Sequence, residues 1–219
     1  MSRKYTRYSR RLDRNILACY LRANEGDREE GMYWYAQAHS SAVSMAEKHK
    51  VSVKQAVGVI AAMSPGLNWG LNLLQANELI EAWQKGLRGE DLPRLGTYGR
   101  RNIIKATSIL LGADPLDVLP PTGPKVRSFY QNILDPRSPE VVTIDRHAKC
   151  LALNSSSTRH GASNEKDAIV TRAEYPYYAR HYVAVAERLG LIPNQLQAIC
   201  WVTWRRLQGN LDQLDLVPF

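Results

Sequence analysis

The stretch VLPPTGPKVRSFYQNIL, residues 118–134, reads as the end of one short helix, a clipped turn and the start of another. Pro-Pro-Thr-Gly-Pro at 120–124 breaks any continuous helix. Pro124 suits the first helical position after the turn, because its missing N–H would be an orphan there in any case. From Val126 onward, apolar residues recur at helical spacing through Phe129, Tyr130, Ile133 and Leu134. Two readings stand side by side. The segment is a tight helix–helix corner that only packs, or it is a backbone anion site. In the second reading the first-turn N–H groups point out of a helix end where the dipole is positive, and Gly123 lets a phosphate approach the backbone closely.

Working outward from the corner, helical periodicity dominates. In VSVKQAVGVIAAM, residues 51–63, Val53, Ala56, Val57, Ile60 and Ala61 share a face, and Ser52 with Gln55 makes a capping box. LNLLQANELIEAW, residues 71–83, places Leu73, Ala76, Ile80 and Trp83 on one face. Between the two lies the breaker-rich loop SPGLNW, residues 64–69. RRNIIKATSILLG repeats the pattern through Ile103, Ala106, Thr107 and Leu110 and stops at Gly112. Asp114-Pro115 then restarts a short helix, with Asp as cap and Pro in the first turn. Two further helices are expected in YYARHYVAVAERLG and NQLQAICWVTWRRLQ, and a polar surface loop at residues 154–168. The expectation is an all-α protein of nine or ten helices.

The totals bound its class. At 219 residues the chain is long enough for one domain or two small ones, and 44% apolar with 23% charged residues is ordinary for a globular protein. The formal net charge of +8 favours a polyanionic partner, or serves solubility alone. Cys19, Cys150 and Cys200 are far apart and form no CxxC pair, which argues against a disulfide framework or a clustered zinc or iron–sulfur site and for reduced thiols in an intracellular protein. No run approaches the ~20 apolar residues needed to span a bilayer. MSRKYTRYSRRLDRN lacks the apolar segment of a secretory signal and is expected to be a basic arm, with a transit peptide as the alternative.

Farther on, VVTIDRHAKCLAL, residues 141–153, carries an acid, Asp145, at the entry to a helix. Alone, it is a helix cap. Taken together, TYGRRNIIKATSILL, LPPTGPKVRSFYQNIL and TIDRHAKCLAL resemble, in order, the approach helix, the hairpin and the aspartate segment of the helix-hairpin-helix DNA glycosylase superfamily, particularly its endonuclease III-like branch. The resemblance covers residues 53–153. It implies an all-α fold of two helical lobes with a cleft between them. Residues 1–52 would supply the arm and helices completing the second lobe, residues 53–153 the core, and residues 154–219 the polar loop and the helices packed on the N-terminal part.

The resemblance implies that Lys125 is the nucleophile of a bifunctional glycosylase with AP-lyase activity in base excision repair, and Asp145 its essential acid, the two facing one cleft. A neutral lysine amine attacks the anomeric carbon of a flipped nucleotide, expels the base and leaves a Schiff base. The aspartate stabilises positive charge at the sugar and shuttles the amine proton. Thr122, Gly123 and Pro124 would hold the phosphate, with Arg100, Arg101, Lys105, Arg127 and Arg146 as further contacts to the backbone. Asn68, Trp69 and His147 would line the base pocket or form a wedge. Trp69 reads equally as a core cap, and His147 reads first as a hydrogen-bonded structural histidine.

No cofactor or metal is implied, and no membrane association. The partner would be double-stranded DNA, bound by a monomer in the cytoplasm or at the nucleoid of a bacterial or phage-infected cell. The sequence departs from the family where Pro121 replaces the hairpin's first glycine, where Arg146 replaces a threonine, and where the four-cysteine loop is missing. SPGLNW also lacks the family's Gln-rich pocket loop, so the substrate base is left open. A second likeness, to phage-borne members of the superfamily, implies instead a transferase that modifies an activated hydroxymethyl pyrimidine. A third reading is a catalytically silent DNA-binding module. Outside these motifs, Asp27, Glu29 and Glu30 read as an acidic run on a solvated loop, Arg205 and Arg206 as helix C-terminal cations, and Tyr33–Tyr35 as a run with at least one core and one exposed ring.

Overall fold

A computed structural model describes residues 3–97, 99–119, 121–155 and 169–209. All regular structure among them is helical. The helices are α1 (Arg3–Leu21), α2 (Glu25–His49), α3 (Val53–Met63), α4 (Trp69–Gln84), α5 (Arg100–Leu110), α6 (Pro115–Val118), α7 (Pro124–Leu134), α8 (Arg146–Leu153), α9 (Tyr175–Leu189) and α10 (Pro193–Leu207), with one 3₁₀ turn at Gly89–Asp91. The expected all-α class is therefore the observed one. Residues 156–168, most of the expected polar loop, and Pro120 of the corner lie outside the described residues.

The described chain forms two compact units, residues 37–134 and residues 3–36 with 135–209. Residues 53–153 are accordingly divided at 134/135, with the corner in one unit and Asp145 in the other.

In the unit of residues 37–134, α3 is the centre. Its start is the expected capping box: the Gln55 N–H donates to Ser52 Oγ at 3.1 Å, and the Ser52 N–H to Gln55 Oε1 at 3.0 Å. Every residue from Ala56 to Met63 is buried, so α3 is covered on all sides rather than along one stripe. α4, α5, α6 and α7 pack around it. Gly58 permits the closest approach, since a Cβ there would sit 3.0 Å from both the Ile109 and Pro115 side chains. Asn68 caps α4 by accepting from the Leu71 N–H at 2.8 Å. α5 ends at Gly112, whose φ of 102° is left-handed territory that favours glycine.

In the other unit, α1, α8, α9 and α10 enclose a core of Leu12, Ile16, Ile144, Leu151, Tyr182, Leu196 and Cys200. The segment expected as a basic arm is helical from Arg3, because Leu12, Ile16 and Cys19 give it a buried stripe. The acidic run is not a solvated loop either. It lies in the first turns of α2, where Asp27 is buried, closes a reciprocal cap with Asn24 and pairs with Arg206 at 2.7 Å. Arg206 thus does more than complement a helix end. Tyr35 is buried and Tyr33 exposed, as expected of that run. The three thiols are free and buried. No helix among the described residues is long and apolar enough to cross a membrane.

Candidate functional site

The corner forms as its sequence dictates. Asp114 caps α6, its Oδ1 accepting from the Leu116 N–H at 2.8 Å, and Pro115 occupies the first turn. Its other oxygen meets Lys54 Nζ at 2.7 Å. The hydrogen bonds from Lys54 and the Leu116 N–H hold the Asp114 carboxyl below its ordinary range. α6 lasts one turn, Pro121 and Thr122 are exposed in the turn, and Pro124 opens α7. The Arg127 N–H reaches the Gly123 carbonyl at 3.3 Å, the first bond of the new helix.

Lys125 therefore stands in the first turn of α7. It is exposed, and none of the ion pairs among the described residues includes it. Four residues along, on the same face of α7, Phe129 meets Trp69 edge-on at a centroid distance of 6.4 Å. The structure thus brings the loop tryptophan onto the helix that carries the lysine. Trp69 is half-buried and opens α4, one residue after the cap Asn68.

Arg127 is half-buried and its guanidinium is committed within the fold. Its guanidinium donates from Nη1 to the carbonyls of Leu116 and of Leu119, the latter at 3.1 Å. It clasps the last carbonyls of α6 and so fixes the corner. Arg100 and Arg101 are exposed at the start of α5, Arg100 paired with Glu90 at 2.8 Å, and Lys105 lies half-buried one turn on.

Asp145 belongs to the other unit, together with Arg146 and His147. Val142 and Ile144 bury the extended segment leading to it, and Tyr175 clips that segment, its hydroxyl donating to the Val142 carbonyl at 2.9 Å and accepting from the Ile144 N–H at 3.0 Å. Asp145 Oδ1 then accepts from the Ala148 N–H at 2.8 Å, capping α8. The carboxylate is half-exposed, as are Arg146 and His147. Behind them Tyr182 donates to the Ala148 carbonyl at 2.9 Å, and total burial pushes its phenol well above its ordinary value. Lys149 is buried against Glu174, at 3.1 Å, and donates to the Ile169 carbonyl at 2.8 Å. Burial also raises the thiols of Cys150 and Cys200, which keeps both protonated and poorly nucleophilic. No group of three or more His, Cys, Asp or Glu that could hold a metal ion occurs among the described residues.

Sequence reasoning missed two of these features. Phe129 appeared only as part of an amphipathic face, because its partner Trp69 is sixty residues away. Arg127 appeared as a free cation, although a one-turn helix leaves carbonyls that need a donor. No curated protein and no solved structure matches the chain. One family model does, over residues 1–208, and the chain therefore belongs to DUF7178, a family of unknown function.

Proposed function

We propose that the protein is a helix-hairpin-helix DNA glycosylase with lyase activity, in which Lys125 attacks the anomeric carbon of an extruded nucleotide in duplex DNA. The observation that carries this reading is the exposed Lys125 in the first turn of α7, directly after a Gly-Pro corner and on the same helix face as the Trp69–Phe129 pair. A helix start offers backbone N–H groups and a positive dipole to a phosphate. An amine there can engage the sugar beside it, and an aromatic pair gives an unstacked base or its vacated neighbours a surface to stack on.

The chemistry balances without a cofactor. The neutral amine forms a bond to C1′, and the base leaves with the electron pair of the glycosidic bond and takes up a proton. The sugar opens to an iminium, and loss of a C2′ proton expels the 3′ phosphate. Asp145 is the acid that the resemblance assigns to the same reaction. Its Oδ1 accepts from the Ala148 N–H, which fixes the carboxylate's orientation.

The test is strand nicking on a duplex with one abasic site. The wild-type protein nicks it, Lys125→Ala does not, and Asp145→Asn is slowed at least a hundredfold. Nicking that survives Lys125→Ala overturns the reading. Mass gain on hydroxymethyl-pyrimidine DNA with no abasic product overturns it in favour of the transferase. Salt-sensitive binding with neither product leaves only a silent DNA-binding module.

A further inference from the structure

Two of the three thiols meet where α1 packs on α10, a place that the corner chemistry does not use. Cys19 Sγ donates to the Cys200 carbonyl at 3.5 Å, and Cys200 Sγ donates to the Ile16 carbonyl at 3.7 Å. Ile16 and Cys19 lie three residues apart on one face of α1, so each sulfur reaches the stretch of backbone that carries the other. Ile16 and Cys200 are fully buried, and Cys19 keeps 6% of its surface. Burial, and after it the adjoining Cys19 thiol, raises the Cys200 thiol.

A buried cysteine is ordinarily a small apolar filler. Cys150 fits that description: it is buried in the same unit, and the charged groups that act on it are Asp145, Lys149 and Arg146, not another thiol. Cys19 and Cys200 differ in having a second sulfur beside them. They are also 181 residues apart in the chain. A bond between them would tie the first helix to the last, and the unfolded-state freedom that a crosslink removes grows with the loop it closes.

We propose that Cys19 and Cys200 form a reversible disulfide when the protein meets a small oxidant, hydrogen peroxide, and so staple α1 to α10 in the unit that carries Asp145. Cys19, the thiol with surface left, reacts first. Its sulfur attacks one peroxide oxygen, the O–O bond breaks, and the other oxygen leaves as water with the thiol proton, giving a sulfenic acid. Cys200 Sγ then attacks the Cys19 sulfur. The S–S bond forms, the S–O bond breaks, and the hydroxyl leaves as water with the Cys200 proton. Two thiols lose two electrons and two protons, and one peroxide becomes two waters. The tightly held proton of Cys200 slows the second step, which makes the staple a response to sustained oxidation. None of this uses Lys125 or requires DNA.

The test uses the wild-type chain, treated with millimolar hydrogen peroxide, alkylated and digested without reductant. Mass spectrometry is expected to find the Cys19 and Cys200 peptides joined with the loss of two hydrogens, and dithiothreitol should separate them. The urea midpoint of the oxidised protein should rise by about 1–2 M and fall back on reduction. Cys150→Ser should keep that rise, whereas Cys19→Ser and Cys200→Ser should each abolish it. Both cysteines remaining open to alkylation overturns the proposal, as does their passage to sulfinic acid without a crosslink. A bond from either one to Cys150 or to a second chain overturns it as well. A Cys19–Cys200 crosslink that leaves the midpoint unmoved or lowered rules out a staple and overturns it too.

Discussion

Asp27 is a carboxylate held by a partner far along the chain. Burial works against its charged form, but hydrogen bonds from the Arg206 guanidinium and the Asn24 backbone N–H outweigh that and hold the carboxyl below its ordinary range. A depressed folded pKa makes the pair's contribution complete above the unfolded value of about 3.9 and drains it as pH falls through the lower folded value. Asp27→Asn is therefore expected to cost about 2–3 kcal/mol at pH 7. The gap to wild type should narrow below pH 3 in urea unfolding, and a gap of equal size at both pH values would contradict the pairing. Tyr130 is the opposite case. Its hydroxyl is buried with no hydrogen-bond partner among the described residues, and burial, with the Asp114 charge second, pushes the phenol to about 12. Tyr130→Phe keeps the ring and removes a stranded hydroxyl, so thermal unfolding should show stability unchanged or raised by up to about 1 kcal/mol. A loss larger than that would show that the hydroxyl has a partner.

Elements are positioned by contacts that sequence spacing reveals unevenly. Arg127→Ala should cost about 1–2 kcal/mol by releasing the carbonyls of Leu116 and Leu119, while leaving the salt slope of DNA binding unchanged. Lys125→Ala should do the reverse, with stability within about 0.5 kcal/mol of wild type, since the side chain is exposed, and no nicking. Equal stability losses in the two variants would refute this division of labour. At the α2–α10 crossing, a Cβ on Gly31 would overlap the Ile199 backbone, so Gly31→Ala should cost about 3 kcal/mol by denaturant unfolding. Helix ends were the legible part of the fold. Ser52 with Gln55, Asp114-Pro115 and Gly112 act within a few residues, so composition reveals them. The burial of α3 on all sides was not legible, because Ala and Gly mark no stripe although they let neighbours come close. The Asp27–Arg206 pair was hidden by 179 residues of separation. At the candidate site, the capping role of Asp145 could be read locally. The clasp of Arg127 could not, since its acceptors are backbone carbonyls with no side-chain signature.

Across the whole molecule, the net charge of +8 is not evenly spread. Arg10, Arg11 and Arg14 are exposed on α1 and Lys125 is exposed at the α6–α7 corner, while several other cations are committed to partners: Arg206 to Asp27, Lys149 to Glu174 and Lys54 to Asp114. That division is what a polyanion-binding protein needs, with some charges locked into the fold and others left to release counterions from a phosphate backbone. Binding alone, however, does not make the protein an enzyme. The claim on which the enzymatic account rests is that the Lys125 amine becomes bonded to a sugar carbon. Borohydride reduction during incubation with abasic-site duplex, followed by proteolysis and mass spectrometry, measures this directly. The account predicts a stable DNA–protein adduct mapped to the peptide containing Lys125 and absent from Lys125→Ala. No adduct, or one on another amine with Lys125 unmodified, would contradict it.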